Sequence, residues 1–363
     1  MKNITSPTLL LDENICKINI HAMANKAKEH DLDFKPHMKT HQSATIGHWL
    51  RDADIEATTV SSVKMAQYFA RHGWNDITIA FPCNIRQIDD LNELAANISL
   101  TILVNKTDVA KALDKKLQSP VSAYIEIDSG SARSGLPSDD IREIRSVIEV
   151  INTSNNITWA GLYSHPGHSY ACRSKQQIEA VHHAVIRQFK QLKDELSQSY
   201  HDFEVCIGDT PCCSIGDTFG PVDAISPGNF VFYDLMQQQI GSCKFGDIAV
   251  AMACPIVDKY ESHNQLIIQG GAIHFSKEFM KTNDTTHFGL VAERNDNSWK
   301  PVEPYSYVTK LSQEHGVVSC SAKLFQNYDI GDMVTVLPVH SCLTANLMSG
   351  YQTIGGEQIS MMK

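Results

Sequence analysis

The stretch DITIAFPCNIRQIDDLNELAANISLTILVN, residues 76–105, decides the fold. Its two ends, DITIAFP and SLTILVN, are short apolar β-like runs. The segment between them has helical periodicity, so the whole reads as strand, crossover helix, strand. Reading outward, the pattern repeats: LDFKPHMK and EATTVSS precede it, and SAYIEID, ITWAGLYSH, FEVCIGD and VDAISPGN follow, which makes eight runs. Most are followed by a helical segment. Ile15, Ile18 and Ala22 fall at i, i+3, i+7, as do Val63, Ala66 and Ala70, and both sets are expected to be inner faces of helices covering a sheet. Eight alternations fit an α/β fold built on a (β/α)8 TIM barrel, with an open doubly wound sheet as the competing arrangement. From residue 244 the texture changes to closely spaced β-like runs, DIAVAMACPIVDKY, NQLIIQGGAIHFS, YSYVTKL, HGVVSCSA and DMVTVLPVHSCL. The expected organisation is a barrel over 14–243 and a mostly β C-terminal domain over 244–363.

The whole composition agrees with a globular enzyme-sized chain. Of 363 residues 42% are apolar, enough for a substantial core. Thirty-one Lys and Arg against 41 Asp and Glu give a formal charge of −10, which argues against a nucleic-acid surface and for a small-molecule partner. The opening MKNITSPTLLLDEN has no cleavage pattern, and no run approaches the roughly 18 apolar residues of a membrane helix, so a cytoplasmic protein is expected, with no membrane partner. Ten cysteines without regular spacing suit reduced thiols.

In a (β/α)8 barrel the reacting groups come from the C-terminal strand ends, so chemistry is sought after each run. Lys39 closes the first. A lysine in a desolvated barrel mouth would have a lowered pKa and a nucleophilic amine able to form a Schiff base; the alternative is that Lys39 and Lys35 are both solvated loop lysines. Runs seven and eight end in IGDTPCCS and SPGNFVFYD, two glycine turns where barrels commonly hold phosphate, with Gly208, Thr210, Gly228 and Asn229 as candidates. A phosphate site facing a strand-one lysine suggests pyridoxal phosphate as cofactor. Arg133, after Gly130 in EIDSGSARSGL, is placed to return to the mouth and bond an anionic oxygen. GLYSHPGHSY offers Tyr163, His165, His168 and Tyr170, with His165 a candidate substrate contact and each equally readable as structural. In LPVHSCLTAN, His340 and Cys342 stand two apart, so on an extended strand both face one way and offer an open two-ligand site for zinc or another divalent metal. Cys212 and Cys213 are read as structural.

Taken together these residues resemble the D-threonine aldolase and D-serine dehydratase family, fold-type III pyridoxal phosphate enzymes with alanine-racemase-like architecture. KPHMKTH is similar to the family's Arg-Pro-His-x-Lys-Thr-His stretch, whose lysine joins the cofactor, so the resemblance implies that role for Lys39, with Lys35 in place of the usual arginine. It implies Arg133 beside the cofactor's phenolic oxygen, the phosphate on GDTPCCS and SPGN, and the metal on PVHSC. Aldolase members tend to carry His-Cys-Asp and dehydratase members His-x-Cys, as here. The resemblance also implies a homodimer and a β domain that takes in residues 1–13.

The expected function is a lyase acting on a small D-amino acid with a β-hydroxyl, foremost D-serine dehydration to pyruvate and ammonia. D-threonine aldolase, 3-hydroxy-D-aspartate aldolase or dehydratase, an amino-acid racemase and a non-catalytic cofactor-binding protein are the alternatives. Tyr163 is expected near the pyridine nitrogen.

Overall fold

The computed structural model describes residues 4–282, 285–295 and 298–363. The chain forms two compact units. One holds residues 22–39 and 47–228; the other holds residues up to 21, 40–46 and 229–363. The break therefore falls after Gly228, where the sequence expectation put it after Cys243, and the residue pair Lys39 and Thr40 is divided between the units.

β1 (Thr8–Leu11) belongs to the second unit; the first is the barrel. Its strands are β2 (Asp33–Phe34), β3 (Ala57–Val60), β4 (Asp76–Pro82), β5 (Ser99–Leu103), β6 (Val121–Asp128), then, past a two-residue side strand β7 (Leu136–Pro137), β8 (Ile157–Ser164), β9 (Glu204–Ile207) and β10 (Ala224–Ile225). They pair in parallel in the order β2-β10-β9-β8-β6-β5-β4-β3. The two edge strands are joined by a bridge from His37 to Thr59, in which the Thr59 N–H donates to the Pro36 carbonyl and the Met38 N–H donates to that of Thr59. All eight runs read from the sequence are the eight barrel strands, and the open sheet is excluded by that last bridge.

Helix faces were read less well. In the helix Glu13–Glu29 the buried stripe runs through Ile15, Cys16, Ile20, Met23 and Ala27, while Ile18 is 65% exposed and Ala22 is also exposed. The stripe advances mainly by four residues, so a track begun with a step of three leaves the buried face. Val63 and Ala66 are buried and Ala70 is half-buried, as a helix edge should be.

Leu103, Tyr124, Tyr163, Cys206 and Ala224 pack together inside the barrel. Lys35 joins them as an internal ion pair. Its Nζ lies 2.7 and 2.9 Å from the two Glu204 carboxylate oxygens and donates to the Tyr124 hydroxyl at 3.0 Å. Burial opposes the charge on Lys35, but the anionic partner prevails and its pKa is raised. Glu204→Gln should leave that ammonium under-compensated and lower stability by about 2 kcal/mol, less than for a fully buried pair because the Glu204 side chain is 24% exposed. Thermal unfolding of the variant measures it.

The second unit is built on β11 (Val250–Tyr260), β12 (Gln265–Gln269), the hairpin β13 (Met280–Thr282) and β14 (Thr285–His287), β15 (Gly289–Arg294), β16 (Trp299–Pro301), β17 (Tyr307–Leu311), β18 (His315–Ser319), β19 (Met333–Pro338), β20 (Gly350–Thr353) and β21 (Gln358–Ser360). Six of them close antiparallel in the order β12-β18-β17-β15-β19-β11, with β11 pairing back to β12. β1 adds to β11 antiparallel, which places the N-terminal strand in this unit, and β20 and β21 continue the sheet from there. GAIHF is a short helix, Ala272–Phe275, rather than part of a strand.

Candidate active site

Each candidate of the barrel follows a strand's C-terminal end: Lys39 follows β2, Arg133 β6, His165 β8, Gly208 and Thr210 β9, and Gly228 β10. The loops that carry the later ones are stitched together. The Ser164 hydroxyl donates to the Ile127 carbonyl at 2.8 Å and lies 2.9 Å from the Ser129 hydroxyl, tying β8 to the β6 loop. That loop is no flexible hinge at Gly130, because the Asp128 carboxylate gathers the N–H groups of Gly130, Ser131 and Ala132 at 2.9–3.1 Å. It carries Arg133, which is exposed and close enough to His165 for its charge to be felt there.

Four groups set the chemistry of this end. His165 Nδ1 donates to the Gly208 carbonyl, and burial lowers its pKa to about 4, a shift that the positive charges of Arg133 and Lys39 reinforce. The ring is therefore neutral near pH 7, with Nε2 as the acceptor. Tyr163 is 2% exposed and its hydroxyl meets Ser226 Oγ at 2.9 Å, with burial raising its pKa well above the ordinary tyrosine value. Its hydroxyl is thus held in the barrel interior by Ser226, a residue that sequence reasoning missed although it stands two before Gly228. Lys39 is exposed, so the desolvation expected to activate it is not supplied by the surrounding protein.

Gly208 is where the chain can bear no side chain. A Cβ there would lie 2.3 Å from Ser226 Oγ and 2.6 Å from the Tyr163 hydroxyl oxygen. Beyond it Asp209 caps the helix Thr210–Ile215, accepting from the Cys212 N–H at 2.9 Å and the Ser169 hydroxyl at 2.7 Å, and the Thr210 N–H donates to the Tyr170 hydroxyl at 3.3 Å. Cys212 and Cys213 are fully buried in that helix. The Thr210 hydroxyl is buried and has no partner among the described residues. An orphaned hydroxyl on a tight glycine turn, with a lysine and an arginine at the same barrel end, fits a phosphorylated ligand. Thr210→Val should weaken pyridoxal phosphate binding about tenfold, the worth of one hydrogen bond to a charged group, in a titration of cofactor absorbance. His168 lies against Gly130, a ring carbon 3.3 Å from where a Cβ would stand, and its Nδ1 is likewise without a partner.

The second unit carries the histidine and cysteine pair, by a route other than strand alternation. β19 stops at Pro338, and a helix runs over Ser341–Met348 with His340, at φ −134° and ψ 102°, as its N-cap. The pair meets because an extended residue leads directly into a helical turn. Burial works against charge on both groups, yet the hydrogen bond between them raises His340 to about 9 and lowers Cys342 below the usual thiol value. The two shifts are those of a pair that shares a proton, at a helix N-terminus that also favours negative charge on the sulfur. Thr40 Oγ1 stands 3.2 Å from Cys342 Sγ. Nitrogen and sulfur donors are of the kind a divalent metal such as zinc takes, and no group of three or more His, Cys, Asp or Glu side chains able to hold a metal occurs among the described residues.

Asn229, expected at the phosphate, turns its side chain toward Asp234 and the histidine and cysteine motif. Its Nδ2 lies 2.8 Å from Asp234 Oδ2, 3.1 Å from Ser341 Oγ and 3.4 Å from Cys342 Sγ. Asp234 was not singled out by the sequence reading, although a residue that caps the helix Leu235–Ile240 announces itself by Asp before an apolar pair.

Two buried histidines of this unit bear on its stability. Burial lowers His41 to about 3 and His287 to about 4, from a model-peptide value near 6.5. A histidine whose folded pKa is depressed binds protons more readily when unfolded, so stability present above about pH 6.5 is lost as the pH falls toward 4. Thermal unfolding should show the midpoint dropping over that window, and His287→Gln should flatten part of the drop.

Residues 11–235 match the alanine racemase N-terminal domain family. The chain belongs to it, and so to the alanine-racemase-like, fold-type III pyridoxal phosphate proteins. Residues 249–354 match a second description, the putative serine dehydratase domain. A D-serine dehydratase of Dictyostelium discoideum is 28% identical, over 98% of this chain and 95% of that one. The D-threo-3-hydroxyaspartate dehydratase of Delftia sp. HT23 is 22% identical over 98% of this chain and 95% of its own, and its solved structure superposes with a TM-score of 0.91 over 99% of this chain and 98% of that one. A 3-hydroxy-D-aspartate aldolase of Paracoccus denitrificans is 24% identical over 96% of this chain and 88% of that one. One solved variant of the Delftia dehydratase, with a cysteine replaced by alanine, is described as the metal-free form. No helix among the described residues is long and apolar enough to cross a membrane.

Proposed function

We propose that this pyridoxal phosphate-dependent lyase removes water from D-serine, giving pyruvate and ammonia, with Lys39 as the reacting amine and a divalent metal, foremost zinc, on His340 and Cys342. The observation that carries the reading is the placement of His340 and Cys342 within hydrogen-bonding reach of each other at one strand-to-helix turn, a nitrogen and a sulfur donor side by side whose shared proton a bound metal would displace. The similarity to dehydratases along nearly the whole chain supports it, as does the metal-free form described for a cysteine variant of one relative.

Thr210 and the turns at Gly208 and Gly228 would hold the cofactor's phosphate, and Arg133 would face its phenolic oxygen. Bound there, the pyridine ring supplies an electron sink for the bond broken at Cα. Lys39 takes the α-proton on its neutral amine. The neutral His165, its Nδ1–H committed to Gly208, offers Nε2 to a substrate N–H or O–H and so orients the amino acid. His340 and Cys342 would hold the metal, whose chemistry would be Lewis acidity toward a departing hydroxyl. Loss of the α-proton and the β-hydroxyl gives an enamine, and hydrolysis of its imine tautomer yields pyruvate and ammonia. The protein is proposed to act as a homodimer.

The test is pyruvate release from D-serine by cofactor-loaded protein, before chelation, after it and after zinc is restored. Release lost with the metal and recovered with zinc is the expected result. Absence of pyruvate in every arm overturns the reading, and glycine release from D-threonine would then assign an aldolase.

A further inference from the structure

We infer that Asn229 and Asp234 are positioning residues that hold the Cys342 sulfur in its ligating place, an inference that rests on the proposed metal site. Asn229 is 5% exposed and Asp234 1%, and both lie outside the histidine and cysteine motif in sequence, more than a hundred residues before it. Their contacts form one connected set. Asp234 Oδ2 accepts from Asn229 Nδ2 at 2.8 Å, from the Ser341 N–H at 3.0 Å and from the Ser341 hydroxyl at 3.2 Å. Its other oxygen, Oδ1, accepts from the Gln237 N–H at 2.9 Å, so the carboxylate is anchored to its own helix as well.

The geometry assigns directions. A carboxylate on one side of the amide fixes Nδ2 as the group facing it, because the reversed amide would set two oxygens against each other. With one N–H drawn to Asp234, the other is shared between the Ser341 hydroxyl at 3.1 Å and the sulfur at 3.4 Å, and an N–H donor stabilises a thiolate more than a thiol. Asp234 also grips Ser341, the residue between the two ligands, from its backbone and its hydroxyl. Rotation of the first turn of the 341–348 helix is thereby blocked. Outer groups of this kind set ligand orientation, and their loss typically weakens a metal site ten- to a hundredfold. The amide's Oδ1 is itself buried and has no partner among the described residues, an acceptor directed at nothing the chain provides. That unmet acceptor sets Asn229 apart from an ordinary core amide, which would be satisfied on both sides.

The experiment is zinc affinity of the cofactor-loaded protein, read by competition with a chromogenic chelator, for the parent, Asn229→Ala and Asp234→Asn. Asp234→Asn keeps a good N-cap and the same shape, so it folds where a cavity variant fails. The cofactor's visible absorbance and the thermal midpoint are followed alongside. Zinc affinity lower by ten- to a hundredfold in both variants, with cofactor absorbance kept, is the expected result. Affinity within twofold of the parent in a folded Asp234→Asn variant overturns the inference while leaving the metal site intact. A parent that binds no zinc overturns the metal site and the inference with it.

Discussion

Lys39→Ala should abolish the visible absorbance that pyridoxal phosphate takes on when joined to a lysine, and lower turnover of D-serine by about a thousandfold or more, within the usual range for loss of a general base compounded by loss of the covalent link. The cofactor itself should remain bound through its phosphate, since Thr210 and the glycine turns are untouched. Lys39→Arg keeps the charge and gives the same loss, which separates the amine's chemistry from its electrostatics. Lys35, the other lysine of the motif, cannot stand in. Its Nζ is held by both oxygens of Glu204 and by Tyr124 inside the barrel, and swinging it out would strand a carboxylate there. If the absorbance and turnover survive in Lys39→Ala, the amine is elsewhere and the mechanism fails.

What the sequence could and could not show follows from the range of the interactions involved. The eight barrel strands were legible because each is a short apolar run bounded by turns and followed by a helix, a local pattern. Lys39, Arg133, His165 and Gly208 were legible as positions because the barrel sends every strand's C-terminal end to one side. Their states were not. That His165 is neutral depends on its burial in the folded barrel, which outweighs the pull of the Gly208 carbonyl 43 residues further along, and the exposure of Lys39 is likewise set by the fold and not by its neighbours in sequence. The pairing of His340 with Cys342 was found from their spacing but for the wrong geometric reason, since a strand end and a helix start bring them together. Asn229 shows the same limit. Its neighbourhood in SPGN pointed to phosphate, while its side chain reaches Ser341 and Cys342, 112 and 113 residues away. Long-range side-chain partners of this sort leave no periodic trace.

His340→Ala and Cys342→Ser should each lower metal content and D-serine turnover together, with the cofactor's absorbance unchanged. A Lewis acid that stabilises a departing hydroxyl contributes several kcal/mol, so a loss of about 4 kcal/mol, roughly a thousandfold, is expected in either variant. The double variant decides between two accounts of the pair. If both serve one metal, removing the first donor already empties the site, and the second replacement should add almost nothing. If instead the pair acts by itself, with the imidazolium as proton donor and the thiolate only as its counter-charge, zinc content would be immaterial and turnover would follow His340 alone. Cys342→Ser would then leave an unpaired imidazole in a buried place, lower its pKa and shift the pH profile to the acid side. The metal account expects no such shift, only a uniform loss across the profile. The shape of the pH profile in Cys342→Ser therefore separates the two where activity at one pH would not.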